Sequence, residues 1–219
     1  MPGGGFVIAI DGPAASGKGT IAEGLGEAFG LPVLDTGVLY RAFGVLAQQR
    51  GIDLDDGPAV ASVGDYWVAK LDDPIYRTRA AGEAASRVAI HPEVRAALLK
   101  FQRSFANSPG GAILDGRDIG TVIAPQAPAK LFVTATPEVR AERRFRQLSG
   151  QGEAVAFEDV LADIRRRDER DTARAASPLV KAEDAALLDT TTMSISQAAD
   201  AARRIVEAAR ARWDNSRHG

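Results

Sequence analysis

The chain has 219 residues, of which 45% are hydrophobic and 26% charged, and its net charge at pH 7 is −2. This composition is typical of a globular domain, and the near-neutral charge argues against a chain-wide attraction to nucleic acid or membranes. Cysteine is absent, which excludes disulfides and thiolate metal sites. Because no segment has the pattern of a signal peptide or a membrane span, we expect a single-domain cytoplasmic protein.

A strand followed by a glycine-rich loop is the first recognisable unit of the chain. The apolar run Phe6–Ile10 predicts the strand. The loop fits the phosphate-binding pattern G-x-x-x-x-G-K and consists of Gly12, Pro13, Ala14, Ala15, Ser16, Gly17, Lys18, Gly19 and Thr20. Glycines allow a sharp turn whose N–H groups surround an anion, while Lys18 and the start of a helix add positive charge. The loop therefore predicts binding of a nucleoside triphosphate, and a plain strand-to-helix turn is the alternative.

Short apolar runs alternate with helical patterns along the rest of the chain. Further strands are predicted at Pro32–Asp35, Ala112–Asp115, Lys130–Thr134 and Leu187–Asp189. In the first half of the chain, helices are predicted from the loop to Gly30, over Val38–Gln49, and over Ala80–Phe105 with a break near Pro92. In the second half, helices are predicted to begin at Thr136 and at about Phe157. The last helix follows a capping box at Ser194 and Gln197 and is expected to fray beyond Trp213. Between residues 51 and 73 the signals are mixed. The alternation predicts an α/β fold with a five-stranded parallel sheet flanked by helices.

Charged side chains follow the predicted strands at the edge where the loop lies. Ligands of such sheets bind beyond the carboxyl ends of the strands, and Asp11, Asp35 and Asp115 all fall there. Arg41 and Arg117 come shortly after the second and third strands, and a guanidinium can bind two phosphate oxygens at once. We expect both at a second phosphate site, the alternative being the solvated head of an ordinary surface arginine. Asp115 is either associated with magnesium or a cap for the turn that follows it.

The second half of the chain is rich in arginine. Arg167, Asp171 and Arg174 would share one face of a helix. Two basic runs accompany them, formed by Arg140, Arg143, Arg144 and Arg146 and by Arg165, Arg166 and Arg170. We expect about half of these arginines to form surface ion pairs with carboxylates such as Asp163, Asp168 and Glu169, and the others to close over polyphosphate as a lid.

Neither histidine is a good candidate for a catalytic base. His91 precedes a proline, and His218 lies near the end of the sequence. A phosphate monoester, with a second pKa of about 6, is already a nucleophile at neutral pH. A reaction between two phosphorylated molecules needs positioning and charge neutralisation, which arginines supply.

Several blocks of sequence together resemble the bacterial cytidylate kinase family. They are Ile10–Pro13 with Gly17–Thr20, Leu34–Gly37 with Tyr40–Arg41, Ala85–Ala89 with Val94–Arg95, Asp115–Val122, Arg167–Asp171 with Arg174 and Ser177–Leu179, and Leu188–Thr191. The resemblance covers almost the whole chain. It also accounts for Gly19, which stands where Ser or Thr more often follows the lysine, because Gly-Lys-Gly-Thr is shared by nucleoside monophosphate kinases. It implies a P-loop kinase fold and transfer of the γ-phosphoryl group of ATP to CMP or dCMP, with Mg²⁺.

The resemblance also implies roles for individual residues. Gly12–Thr20 would hold the ATP phosphates, with Lys18, Arg117 and Arg174 as catalytic residues and Asp115 on the side of the metal. The CMP site would comprise Asp35, Thr36, Tyr40, Arg41, Ser86, Arg95, Arg117, Asp118, Arg167, Asp171 and Arg174. Ser86, Arg95 and Asp118 would contact cytosine, which offers one amino donor and two acceptors. Arg41, Arg117 and Arg174 would bind the CMP phosphate, with Tyr40 alongside, whereas Arg167 and Asp171 would contact the ribose.

The family pattern further implies how the chain is organised. The core would comprise about residues 5–50, 106–145 and 175–213, with a small monophosphate-binding insertion at about 51–105 and a helical lid at about 146–174. Many members carry a longer insertion with a small antiparallel sheet, whereas residues 52–80 are short here and contain few strand-like runs. Thr36 stands where Ser is more usual and keeps the hydroxyl. We expect a monomer whose partners are its small-molecule substrates.

Two other classes of function remain as alternatives. Another small-molecule kinase of the same fold, acting on shikimate, dephospho-coenzyme A, AMP or UMP, would share the loop, and only Ser86, Arg95 and Asp118 favour cytosine. A guanine-nucleotide switch would need an Asn-Lys-x-Asp motif. The two asparagines, Asn107 and Asn215, lie in no such motif.

Overall fold

Five parallel strands form one sheet at the centre of the fold. In the computed structural model, which describes residues 5–64 and 71–218, they are β1 (Val7–Asp11), β2 (Val33–Asp35), β3 (Ala112–Gly116), β4 (Ala129–Thr134) and β5 (Ala186–Asp189). Their order across the sheet is β2-β3-β1-β4-β5. The central strands β1 and β3 are almost wholly buried, as parallel strands covered on both faces must be. The predicted five-stranded parallel sheet is confirmed.

Helices cover both faces of this sheet. They are α1 (Lys18–Phe29), α2 (Thr36–Gln49), α3 (Gly57–Ala61), α4 (Arg79–Val88), α5 (Pro92–Ala106), α6 (Pro137–Gly150), α7 (Phe157–Ala173) and α8 (Ile195–His218). Successive side chains of a strand point to opposite faces. Ile8 and Ile10 of β1 accordingly pack in a cluster with α1 and α8, whereas Ala9 packs in a second cluster with α2, α4 and α5. A third, smaller cluster joins α6 and α7 to Ala14 of the glycine-rich loop.

The helix ends show which local signals the sequence carries. Thr136 caps α6 through a hydrogen bond from the Val139 N–H, and Ser194 and Gln197 form the predicted reciprocal capping box before α8. Helix α2 begins at Thr36, two residues earlier than predicted, because the Asp35 carboxylate caps it by accepting from the Gly37 N–H at 2.8 Å.

The end of α8 differs from the sequence prediction. The helix continues past Trp213 to His218 instead of fraying. The Trp213 ring packs against Phe6 with 5.4 Å between ring centroids, and the Arg217 guanidinium lies 4.6 Å from the Trp213 centroid. These contacts hold the last turns against the start of β1.

The segment between α2 and α4 is short and largely irregular. Helix α3 and a single 3₁₀ turn at Pro74–Arg77 are its regular elements within residues 52–64 and 71–80, and no strand occurs in these two stretches. This agrees with the scarcity of strand-like runs in the sequence. Residues 65–70 lie outside the described part of the chain. Across the two described ranges, 5–64 and 71–218, no helix is both long enough and apolar enough to cross a membrane.

Helices α2 and α4 approach each other most closely at Gly44. A Cβ at this position would lie 2.7 Å from the Ala84 Cβ, so the two helices would have to separate. We expect Gly44→Ala to lower the free energy of unfolding by about 1–3 kcal/mol, measured by urea denaturation. Gly24→Ala is the matched control, because Gly24 lies in α1 with nothing within 4 Å of a Cβ, and it should raise stability by about 0.5–1 kcal/mol. Equal effects of the two substitutions would contradict this account of the packing.

Candidate active site

The glycine-rich loop joins the end of β1 to α1 at the carboxyl edge of the sheet. Gly12 has φ 147° and a Cβ there would lie 1.9 Å from the Val133 carbonyl oxygen of β4, while Gly17 has φ 93° at the start of α1. Both positions therefore require glycine for the backbone itself. A Cβ on Gly19 would meet only Asp115 Oδ2, at an ordinary 3.8 Å. The backbone argument thus applies to two of the three loop glycines.

Lys18 is held across the loop by two oxygen partners. Its Nζ donates to the Pro13 carbonyl at 3.0 Å and lies 3.6 Å from Asp115 Oδ1. Burial and the nearby Arg117 guanidinium lower the pKa of Lys18 to about 8, despite the opposing carboxylates. Burial also raises the pKa of Asp115. The pKa of Lys18 therefore lies close to neutral pH. An anion bound nearby would raise this pKa and favour the charged form.

Helices α6 and α7 are anchored to the loop by the buried Arg140 and the partly buried Arg143. Arg140 of α6 donates to the Ala14 carbonyl at 3.3 Å and forms two hydrogen bonds with Asp168 of α7. Arg143 donates to the Ser16 carbonyl and to Thr190, whose hydroxyl also donates to Ser16. These contacts connect the arginine-rich pair of helices directly to the loop.

The other arginines of α6 and α7 divide between surface and cleft. Arg165 pairs with Glu138, Arg166 with Asp163 and Arg146 with Glu142, and the three arginine side chains are exposed, in line with the surface ion pairs expected from the sequence. The predicted partner Asp168 instead pairs with the buried Arg140. Arg144 and Arg167 line an open cleft.

Two adjacent clefts open at this edge of the sheet. The loop cleft, about 1200 Å³, is lined by Ala14–Thr20 and by the residues Glu23, Asp35, Gly37, Arg41, Tyr76, Arg77, Thr78, Gly82, Asp115, Arg117, Arg144, Gln147, Ile164 and Arg167. The inner cleft, about 490 Å³, is lined by Thr36, Gly37, Tyr40, Arg41, Ala85, Ser86, Ala89, Arg95, Gly116, Arg117, Asp118, Arg167, Asp171 and Arg174. Arg41, Arg117 and Arg167 line both clefts. Three cations thus lie at the junction of the two clefts. They could neutralise the charge of two anionic groups that meet there, one from each cleft.

An ion pair forms one wall of the inner cleft. Arg95 of α5 donates from Nη2 to Asp118 Oδ2, and its guanidinium lies 5.7 Å from the centroid of the Tyr40 ring. Both members of the pair are buried. Among the described residues, no group donates to the other carboxylate oxygen, Asp118 Oδ1. The wall therefore offers an unused acceptor beside a fixed cation.

Asp171 of α7 organises a second set of charges in the inner cleft. Arg117 donates from Nε to Asp171 Oδ2 at 2.9 Å, and Arg174 donates to Oδ1. Burial alone would raise the pKa of Asp171, but the Arg117 and Arg174 guanidiniums lower it below its usual value. Asp171 therefore remains ionised at neutral pH and holds both arginines in place.

Several cations of the clefts have unused donor capacity. The Nε atoms of Arg41 and Arg174 are buried and have no hydrogen-bond partner within residues 5–64 and 71–218, although Arg41 pairs with Asp35 through Nη2 at 2.5 Å. Burial and the neighbouring Arg117 lower the pKa of Arg167 to about 10. Buried donors of this kind are costly unless a ligand satisfies them. An oxyanion in the clefts would supply the missing acceptors.

The structure brings the residues predicted from the sequence together. All the predicted monophosphate-site residues line the inner cleft except Asp35, which lines the loop cleft. Gly12 and Pro13 are not among the residues that line the loop cleft. The Thr36 hydroxyl donates its hydrogen to the Asp115 carbonyl at 2.8 Å and so links α2 to β3. In this arrangement the hydroxyl can only accept a hydrogen bond from a ligand.

Several residues that line the clefts or support the loop have no site role that could be predicted from the sequence. Ala85, Ala89 and Gly116 line the inner cleft, and Thr190 supports the loop, but their residue types carry no chemical signal. Arg144 stood out only as a member of a basic run and Gln147 did not stand out at all. Tyr76, Arg77 and Thr78 reach the loop cleft from the 3₁₀ turn. Their place at the clefts can be recognised only once the fold is known.

Solved structures share the overall fold at low sequence identity. A gluconokinase from Sinorhizobium meliloti 1021 matches with a TM-score of 0.51 and 16% identity, covering 99% of each chain. An uncharacterized protein from Eubacterium ventriosum ATCC 27560 matches with a TM-score of 0.52 and 15% identity, covering 92% of this chain and 98% of the other. At this identity the matches concern the fold alone.

The sequence is far more similar to several curated proteins than to these solved structures. A cytidylate kinase from Caulobacter sp. (strain K31) is 61% identical over 212 residues, covering 96% of this chain and 98% of the relative. One from Caulobacter vibrioides (strain NA1000 / CB15N) is 64% identical, covering 95% and 98%, and one from Xanthobacter autotrophicus (strain ATCC BAA-1158 / Py2) is 62% identical, covering 94% and 99%. The model of the family described as cytidylate kinase matches residues 8–208. The chain therefore belongs to the cytidylate kinase family.

Proposed function

We propose that the protein transfers the γ-phosphoryl group of ATP to CMP or dCMP and forms ADP with CDP or dCDP. The observation that carries this proposal is the junction of the two clefts. A phosphate-binding loop faces one cleft, Ser86, Arg95 and Asp118 face the other, and three arginines line both. Membership of the cytidylate kinase family supports the same substrates.

The loop and the shared arginines would carry the phosphoryl transfer. Gly12–Thr20 would bind the ATP phosphates through backbone N–H groups, and Lys18 would neutralise the outer phosphates. Arg41, Arg117 and Arg174 would hold the CMP phosphate. One of its oxygens attacks the γ-phosphorus while the bond to the oxygen between the β- and γ-phosphorus atoms breaks. No protein base is needed, because a phosphate dianion carries no proton that must be removed.

Magnesium fits this site only in combination with the nucleotide. Among the described residues no group of three or more His, Cys, Asp or Glu side chains could form a metal site on its own. Mg²⁺ commonly keeps several waters and binds through one or two carboxylates together with substrate phosphates. Asp115 is the residue that would hold the Mg²⁺ ion. It lines the loop cleft, and its buried carboxylate lies 3.6 Å from Lys18 Nζ. Bound there with ATP, the metal would neutralise charge on the phosphates.

The inner cleft has the chemistry to select the acceptor nucleotide. The free Asp118 Oδ1 would accept from the cytosine amino group, and Ser86 and Arg95 would donate to cytosine N3 and O2. Arg167 and Asp171 would contact the sugar, and Tyr40 would lie beside the phosphate arginines. The positions of these side chains in the inner cleft and the groups that cytidine monophosphate presents support these assignments.

We further propose the organisation expected from the sequence. A core of about residues 5–50, 106–145 and 175–213 would carry the loop, about 51–105 would bind the monophosphate, and about 146–174 would form the lid. Closure of the lid would exclude water, which competes as an acceptor. The protein would act as a monomer on small molecules.

A comparison of acceptors tests the proposed function. ADP release is measured with a coupled assay in the presence of ATP, Mg²⁺ and either CMP, dCMP, UMP or AMP. We expect the highest kcat/KM with CMP or dCMP. Faster turnover with AMP than with CMP would overturn the proposal and favour another kinase of the same fold.

Lys18 should take up a proton when ATP binds at a mildly alkaline pH. With a pKa of about 8 in the free protein, Lys18 is largely neutral at pH 8.5, and polyphosphate raises that pKa. We expect uptake of about 0.7 proton per ATP at pH 8.5 and much less at pH 6.5. Titration calorimetry in buffers of different ionisation enthalpy measures it. Lys18→Arg, which stays charged, is the control and should abolish the uptake; unchanged uptake in that variant would assign the proton to another group.

A further inference from the structure

Arg170 of α7 lies behind the inner cleft and contacts α4 in two places. Its Nη1 donates to Glu83 Oε1 at 2.7 Å and to Ser86 Oγ at 3.3 Å. This nitrogen carries two hydrogens, so both bonds can exist together. Ser86 is buried and lines the inner cleft, whereas Arg170 is not among the lining residues. Arg170 therefore does not contact a nucleotide in the cleft directly, and Ser86 is the cleft residue that it touches.

The bond from Arg170 restricts what the Ser86 hydroxyl can do. A hydroxyl has one hydrogen to donate and two lone pairs that accept. Arg170 occupies one lone pair with a charged donor. Hydrogen bonds in a chain polarise one another, so an oxygen that accepts from a guanidinium becomes a better donor and a poorer acceptor. Ser86 is thereby biased to present its hydrogen to the cleft.

This bias distinguishes the two common pyrimidine bases. Cytosine N3 is an acceptor, whereas uracil N3 carries a hydrogen and is a donor. We propose that Arg170 is a positioning residue that fixes Ser86 as a donor and thereby sharpens the preference for CMP over UMP. The inference rests on the proposed function and adds to it a residue that does not touch the substrate.

A purely mechanical role for Arg170 is the competing explanation. Its ion pair with Glu83 joins α4 to α7, and any such contact stabilises the packing of these two helices. Arg79 and Asp163 form a second ion pair between the same two helices, at 2.6 Å. Neither Arg79 nor Asp163 contacts Ser86 or lines the inner cleft. Arg79→Ala is therefore a matched control that weakens the helix contact without changing the hydroxyl.

The test compares kcat/KM for CMP and UMP in five forms of the full chain. These are the wild type, Arg170→Ala, Arg79→Ala, Ser86→Ala and the double variant of Arg170 and Ser86. We expect Arg170→Ala to lower the CMP-to-UMP ratio by about tenfold, the effect of losing one charged hydrogen bond. Arg79→Ala should change both nucleotides alike and leave the ratio within about twofold. In the Ser86→Ala background, removal of Arg170 should no longer change the ratio, because the two residues act in series.

The outcomes separate this inference from the proposed function. A wild type without preference for CMP would defeat the proposed function itself. A wild type that prefers CMP, together with an unchanged ratio in Arg170→Ala or with additive effects in the double variant, would overturn only the role of Arg170. Arg170→Lys, which keeps a charged donor, should restore part of the ratio. Equilibrium binding of CMP and UMP to each variant provides a second measure of the ratio if turnover is too low.

Discussion

Replacing Arg117 with alanine should lower kcat by about a thousandfold while leaving the fold intact, because an arginine that stabilises transferred phosphate is worth that much or more. Arg117 lines both clefts, with its Nε on Asp171 and its Nη1 on the Gly116 carbonyl. The guanidinium is thus fixed at the junction where the acceptor phosphate would meet the γ-phosphoryl group. Negative charge at that point grows in the transition state, so the loss should appear mainly in kcat.

Stability should respond far less than activity to the same substitution. Asp171 keeps Arg174 as a partner when Arg117 is removed, so no buried carboxylate is left alone. Thermal unfolding should shift by only a few degrees, and Arg203→Ala, at an exposed pair with Glu207 on α8, controls for the loss of an arginine as such. Arg117→Lys should recover little activity, because an ammonium cannot reproduce the planar fork. A kcat within about threefold of the wild type would remove Arg117 from the catalytic role.

The elements near the loop could be predicted from local sequence, because each is fixed by contacts close along the chain. The run before Gly12, the glycine at Gly17 and the cap at Thr136 each determine their own neighbourhood. The end of α8 could not be predicted, since Trp213 is held by Phe6 from the other end of the chain. Contacts of that kind depend on the finished fold.

The candidate site was predictable to the extent that single residues carry a recognisable chemistry. The carboxylate of Asp118 and the guanidinium of Arg117 stand next to a strand end, and their residue types suggest a ligand. Which arginine of a basic run faces a cleft and which faces solvent is decided by helix packing: Arg167 faces both clefts, whereas Arg165 pairs with Glu138 at the surface. The contact of Arg170 with Ser86 likewise exists only because α7 packs on α4.

Changing Asp118 to asparagine should shift the preference of the inner cleft from cytosine towards uracil. Arg95 donates to Asp118 Oδ2, and an asparagine in the same place would keep its carbonyl oxygen on that guanidinium. Its amide N–H₂ would then replace the free Oδ1 at the cleft. A donor there opposes the cytosine amino group and suits uracil O4, which accepts. We expect the CMP-to-UMP ratio of kcat/KM to fall by about a hundredfold, since mismatched polar groups in a buried site are strongly rejected.

The asparagine substitution is more informative than alanine at this position. Alanine would remove both the charge and the hydrogen-bond acceptor opposite the buried Arg95, which costs about 3–5 kcal/mol and would confuse folding with recognition, whereas asparagine keeps the acceptor. Asp200→Asn, at an exposed position on α8, is the matched control and should leave the ratio unchanged. A fall in kcat/KM for CMP with no gain for UMP would still place Asp118 at the base. An unchanged ratio would show that the Arg95–Asp118 wall does not contact the base, and the selection of the acceptor would then have to come from elsewhere in the inner cleft.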